Sequence, residues 1–246
     1  MKPILSKQVW LNMVYPLYFL ILLIASLPAQ EITKKKNFLY DLNSRWRIEG
    51  SGLLGMGINN LQVGITTENE KITISGGGGF GGSFVLGYGF LPQLDLSIGT
   101  GIEKSALMPR VKNAKGSFTR IFFLATLKYK KPISSKGLLN FGSGPDFFSP
   151  GELDIDASKV SEGGHNIYSY KKATGFHLLA EYEGFINQKF SWIMGLKYYY
   201  ASYKLESAKL DGIFFPVDNL PADLKKEVTD LNGSGVDLIL SFNWYF

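Results

Sequence analysis

The 246-residue chain contains no cysteine and only two histidines, His165 and His177. Without a thiol there is no disulfide, thiolate nucleophile, cysteine-ligated zinc or iron–sulfur centre, and no lipidated N-terminal cysteine. Two histidines leave little room for a histidine-rich metal site. Charge of one sign is also scarce. Of 26 Lys+Arg, Lys2 and Lys7 precede position 30, and without them 24 cations face 21 Asp+Glu, a net of +3. That is no nucleic-acid footprint. After Lys36 no run of 18 apolar residues occurs, so no further membrane helix is written in the chain. Aromatic residues (14%) and glycine (28 residues) are present in quantity, and both become informative once placed on a face.

Lys2 and Lys7 stand ahead of an uncharged, mostly apolar stretch over residues 9–27, which ends at Pro28-Ala29 before a charged segment over 30–36. A positive start, an apolar middle and a small residue at the change of character read as a secretory signal peptide cut near Ala29. The competing reading is a retained inner-membrane anchor, since the run approaches the ~20 residues that span a bilayer. Pro16 and Pro28 interrupt that run.

From Arg45 onward, apolar residues recur at every second position. Counting back from the end, Phe246, Trp244, Phe242, Leu240, Leu238 and Val236 share one parity, and Asn243, Ser241, Asp237 and Gly235 share the other. Successive strand side chains point to opposite faces, so the segment is a strand with one greasy and one mixed face. The same alternation runs through 190–200, 176–182, 46–58, 78–90, 94–102 and 119–129, and more weakly through 139–144. Eight strands result. Their connections alternate long and short: 59–77, 91–93, 104–117, 131–136, 145–172, 187–189 and 202–232.

Strands of this kind build either a soluble sandwich or barrel, or a transmembrane barrel. Three features choose the second. The mixed face is rich in glycine (Gly79, Gly81, Gly87, Gly89, Gly99, Gly101), and its charges nearly cancel. Arg45, Arg47, Arg120, Lys128 and Lys197 stand against Glu49, Asp95, Glu103, Glu181, Glu183 and Asp237, which suits a narrow, self-paired interior. Alternating short turns and long loops are the habit of outer-membrane barrels, with the short turns periplasmic. Trp46, Trp192 and Trp244 share the apolar parity at one end of their strands, where Phe90, Tyr129, Phe190 and Phe246 join them as an interface girdle. The expected fold is all-β: an eight-stranded antiparallel transmembrane β-barrel with short periplasmic turns and long extracellular loops. Residues 1–29 are expected as signal peptide, 30–44 as a periplasmic segment and 45–246 as the barrel domain.

The closing segment, with Leu240, Phe242, Trp244 and terminal Phe246 alternating, resembles the assembly signal of bacterial outer-membrane barrels. The stretches 175–182 and 196–198 resemble the penultimate hairpin of small OmpA/OmpX-like barrels, and strand count and loop alternation extend the likeness over 45–246. That resemblance implies insertion by the barrel-assembly machinery, which reads Phe246, with periplasmic chaperones as escorts. It also implies a bacterial outer-membrane address. It carries over no catalytic residue.

Site candidates are few. Eight strands leave an interior that side chains just fill, and a buried charge is costly unless paired, so the lumen charges are expected to form an ion-pair plug. Pairing of the strands 94–103 and 118–130 so that opposed positions sum to 223 sets Asp95 against Lys128 and Glu103 against Arg120 together. On this reading Asp95→Lys destabilises the barrel and Lys128→Asp partly restores it. A narrow gated conduit is the alternative. The G-x-G-x-x-G over 77–82 is followed by a strand rather than a helix, so it is not a dinucleotide fingerprint. Glu152, Asp154, Asp156 and nearby Glu162 offer oxygen ligands but lack the glycine and terminal glutamate of a calcium loop. Ser169 lies near His165, without the His-x-Ser spacing of lipid A deacylases. Leu220, Leu224, Val228 and Leu231 recur at helical spacing within 219–231 of the last long loop, a stripe that packs locally against Phe214 and Phe215 or else covers the barrel mouth, lies on lipid headgroups or meets a partner. Lys104, Arg110, Lys112 and Lys115 make an acid-free patch, read first as solvated loop charge and, as the alternative, as a contact for lipopolysaccharide or host glycosaminoglycan.

The first functional reading is a membrane-anchored, adhesin-like surface scaffold with a plugged lumen. Its partners are outer-membrane lipid and an extracellular ligand held by the loops, without nucleic acid, cofactor, metal or enzyme activity. A narrow channel for small or hydrophobic solutes is the second reading, and a lipid hydrolase the third.

Overall fold

The computed structural model describes residues 44–246 apart from 67 and 161–163. The expected signal peptide, and the segment after it up to residue 43, lie outside the described residues, as does Glu162. The elements in chain order are β1 (Arg45–Gly57), β2 (Leu61–Ile65), β3 (Lys71–Ile74), β4 (Gly78–Leu91), β5 (Leu94–Ala106), β6 (Lys115–Ser134), β7 (Gly137–Phe148) and β8 (Gly151–Asp156). They continue with β9 (His165–Tyr170), β10 (Ala173–Phe185), β11 (Phe190–Tyr200), β12 (Ser202–Leu210), β13 (Ile213–Pro216), helix α1 (Ala222–Val228), β14 (Asp230–Asn232) and β15 (Gly235–Tyr245).

Eight of these close a barrel in the order β1, β4, β5, β6, β7, β10, β11, β15 and back to β1, each neighbour antiparallel. Closure satisfies every ladder and leaves no barrel edge. Its exterior is greasy on all sides, with Phe84 53%, Met194 50% and Leu240 56% exposed on three different strands. Water-soluble proteins rarely show apolar patches beyond a few hundred Å², and an exterior of this character fits the lipid-facing surface expected from the sequence.

β6 and β7 run further than alternation alone marked. β6 reaches Ser134 and β7 runs from Gly137 to Phe148, so the turn between them shrinks to two residues and Asp146 is a barrel residue rather than a loop residue. Gly142-Ser143-Gly144-Pro145 carries little alternation, yet the ladders on both sides of β7 hold it in place.

At the long-loop end the wall keeps rising on one side. β8 continues β7 along the start of β6, β9 leads into β10, β12 extends β11, and β14 leads into β15, so four of the barrel's ladders carry on past it. β13 is the outer strand of this collar. The β2–β3 hairpin stands on the remaining side, tied to the loop after β5 through Thr73 and Met108. Between hairpin and collar lies an apolar core that includes Ile74, Leu107, Phe118, Leu153, Tyr170, Tyr203, Leu220, Val228 and Leu231. The stripe expected on α1 is thus turned inward: Leu220, Val228 and Leu231 are buried and Leu224 partly so, with Phe215 packed beside them and Phe214 left exposed.

Candidate functional site

Strand parity sends the odd positions of β1, β4, β5, β10, β11 and β15, and the even positions of β6 and β7, into the lumen. Nearest the short turns, Arg47 forks onto Asp95, with Nε and Nη2 each 3.0 Å from a carboxylate oxygen, and its Nη1 reaches Glu49. Lys130 Nζ stands 3.2 Å from Asp95 without the alignment of a hydrogen bond. Lys128 Nζ lies 2.7 Å from Glu181 and 3.9 Å from Glu49. Glu183 is held by neutral donors: Asn140 and Asn243 at 3.0 Å, Ser191 at 2.6 Å, and the Tyr245 hydroxyl.

β5 and β6 pair with Asp95 opposite Lys128 and Glu103 opposite Arg120. Only the second opposition is a direct ion pair. Asp95 turns instead to Arg47, whose planar fork gives two aligned donors where an ammonium gives one, and Lys128 is drawn to Glu181. Arg47 reaches Asp95 from two strands away by crossing β4 at Gly87, where a Cβ would stand 2.7 Å from its Nε. Glycine on that face is what lets the guanidinium through.

Arg45 does not belong to the network. It is half-exposed at the short-turn rim, where β1 begins, and donates to the Gln188 carbonyl at 3.2 Å. Lys130, Asp146 and Tyr199 do belong and were not anticipated. Lys130 and Tyr199 share the lumen parity of the expected Lys128 and Lys197, and Asp146 lies just past the stretch 139–144, so extending the alternation by a few residues would have found Lys130 and Asp146.

Towards the long loops a second layer centres on Arg120. Its guanidinium pairs with Glu103, bonds the Tyr199 hydroxyl, and donates to the carbonyls of Gly76 at 3.3 Å and Gly233 at 3.0 Å. One buried side chain thus ties the ends of the first and last long loops to β6. Lys197 Nζ is 3.1 Å from Asp237 and 4.6 Å from the Phe122 ring centroid. Above them the Phe118, Phe148, Tyr170 and Tyr203 rings meet edge to face. Burial in this external core pushes the Tyr170 phenol well above its ordinary value, which keeps it neutral.

Between the two charged layers lies a cavity of about 30 Å³, bordered by Lys128, Lys197, Thr126 and His177. His177 is fully buried, with Nδ1 2.8 Å from Asp146 and Nε2 3.0 Å from Thr126 Oγ1. An acid–imidazole–hydroxyl relay has this order, but a space that holds about one water admits no acyl substrate. His165 is taken by Asp154 at 2.9 Å, and Asp156 accepts from Ser158 Oγ at 2.7 Å. Among the described residues no three acids or histidines converge as a metal site.

The expected girdle residues are exposed at the short-turn end: Trp46, Phe90, Phe190 and Trp192 outward and open, Tyr129 half-buried. Leu240, Phe242, Trp244 and Phe246 line the same exterior on and just beyond β15. The cations Lys104, Arg110, Lys112 and Lys115 are all exposed around the second long loop. A cleft of about 730 Å³ opens among β2, β8–β9 and α1.

No protein-family model matches the sequence, and no curated protein does. Solved structures do. The outer membrane protein OprG from Pseudomonas aeruginosa superposes with a TM-score of 0.51 at 11% identity, over 83% of this chain and 96% of that one. Neisserial surface protein A gives 0.45 at 11% identity over 82% and 96%, and the attachment invasion locus protein Ail of Yersinia pestis gives 0.43 at 11% over 83% and 99%. The chain has the fold of the small eight-stranded outer-membrane β-barrels.

Proposed function

We propose that this protein is a surface scaffold of the bacterial outer membrane: a barrel that anchors, and a folded superstructure that is displayed. One observation carries the reading. The lumen is closed by two layers of buried ion pairs and an aromatic core, and the space between the layers is about 30 Å³. In this reading residues 1–29 are the signal peptide, the short turns are periplasmic, and the β2–β3 hairpin and collar face outward. The alternating Leu240, Phe242, Trp244 and Phe246 serve the assembly machinery. The exposed Lys104, Arg110, Lys112 and Lys115 suit the phosphates of lipopolysaccharide. No catalytic role is assigned, since the buried Asp146–His177–Thr126 relay has no access.

The test is conductance. Refolded mature protein in a planar bilayer is expected to show no channel steps, because buried paired charges and the aromatic core fill the lumen. Sustained unitary steps would overturn the scaffold reading in favour of a narrow channel.

A further inference from the structure

The cleft at the long-loop end has an unusual wall. Residues 60–65 border it consecutively, both parities included, so what faces the cleft is the edge of β2 rather than either of its faces. β2 pairs with β3 alone, and among the described residues no strand pairs with its other side. An unpaired edge offers backbone N–H and C=O groups in series, which natural sheets ordinarily cover or blunt. Neither proline nor lysine blunts it: the edge reads Leu61-Gln62-Val63-Gly64-Ile65, and a single bulge at Val63 is its one irregularity.

Facing this edge are Ile155 and Tyr168 from β8 and β9, and Leu224, Glu227 and Val228 from one face of α1. Asn166 of β9 borders the cleft beside them, and all but Asn166 and Glu227 are apolar in character. Glu227 is exposed, is the one charged residue of the lining, and is bypassed by the neighbouring ion pairs Lys204–Asp230 and Lys225–Asp218. Lys225 and Lys226 do not line the cleft.

We propose that the cleft takes an extended peptide that adds to β2 as a third strand. Apolar side chains at alternate positions pack on Ile155, Tyr168, Leu224 and Val228, and a lysine or arginine meets Glu227. At about 3.3 Å per residue the bordering edge spans about 17 Å, which fits about six residues. A small amphipathic molecule fills volume but leaves the edge unpaired, whereas a second backbone satisfies it step by step. The inference rests on the surface-scaffold reading and names the class of partner it displays itself to.

The experiment uses the full mature chain in lipid nanodiscs and labelled hexapeptides that alternate valine with lysine, glutamate or serine. The lysine peptide is expected to bind best, and binding is expected to slow amide exchange at residues 60–65. N-methylation of its alternate backbone nitrogens, which removes two or three strand hydrogen bonds, is expected to weaken it about tenfold or more. Glu227→Lys is expected to shift preference from lysine to glutamate by about threefold in each affinity. Failure of every peptide to bind, equal binding after N-methylation, or protection at β13 instead of β2 would each overturn the proposal. Glu227→Cys supplies the only thiol in the chain, and a membrane-impermeant maleimide on intact cells separates the two readings. Labelling without peptide binding removes the cleft proposal and leaves the scaffold standing; labelling only after lysis removes the scaffold reading as well.

Discussion

Two different materials fill one tube. Near the short turns the lumen is packed with charges that all come from barrel strands: Arg47, Glu49, Asp95, Lys128, Lys130, Glu181 and Glu183. Towards the long loops it is packed with apolar and aromatic groups, many of them brought in by the loops themselves, such as Leu153, Tyr168, Tyr203, Leu220 and Leu231. The first filling is set by the ladders that close the barrel, so it cannot come apart unless the barrel does. The second depends on segments folding back into the mouth. Arg120 is the joint between them, since it holds a barrel carboxylate and the carbonyls of Gly76 and Gly233 at once.

Reversing a charge in the lower filling should have the largest effect. Asp95→Lys sets a third cation beside Arg47 and Lys130, and the loss should exceed the ~3–5 kcal/mol of a broken buried pair. The heat-modifiable gel mobility of a folded barrel should disappear. Adding Arg47→Asp should restore part of it, whereas Lys128→Asp should restore little, because Lys128 is bound to Glu181. Equal rescue by both would show that facing position, rather than the observed contact, governs the pairing.

Cutting the joint comes next. Arg120→Met leaves Glu103 buried and unpaired, a cost of about 3–5 kcal/mol in urea unfolding from vesicles. The double variant with Glu103→Leu should recover most of it if the two layers are otherwise independent. The mildest of the three probes the upper filling alone. Leu153→Ala, at a fully buried position, should remove about 2–5 kcal/mol from the collar. Protease should then cut within the last long loop while the barrel mobility stays intact. Loss of both together would mean that collar and barrel form one cooperative unit.

Most of the barrel was legible from a period of two. The eight strands, the lumen parity of Glu49 or Asp237, and the β5–β6 register all follow from local alternation and from the need to oppose charges. The partner of Asp95 was not legible. Its carboxylate is reached by Arg47 from two strands away, over Gly87, and that contact depends on barrel curvature and on the length of a guanidinium. Nor could alternation show that β8, β9, β12 and β14 prolong the wall. Their segments are short: Glu152 to Asp156 alternates strictly but over too few residues to mark a strand by itself, and β9, β12 and β14 are held largely by one another. The helix in the last loop was visible as a stripe, but whether that stripe turned to lipid, to a partner or to the mouth depended on where Phe118, Tyr168 and Leu153 had gathered.

Alternation alone therefore settled how many strands close the barrel, which face turns outward and which residues must share the interior, because side-chain direction in a strand is a purely local property. Tertiary structure decided which of those residues pair, what seals the mouth and which strand edge is left open. Those outcomes are distances between groups far apart in the chain, and only closure of the barrel brings them within reach of one another.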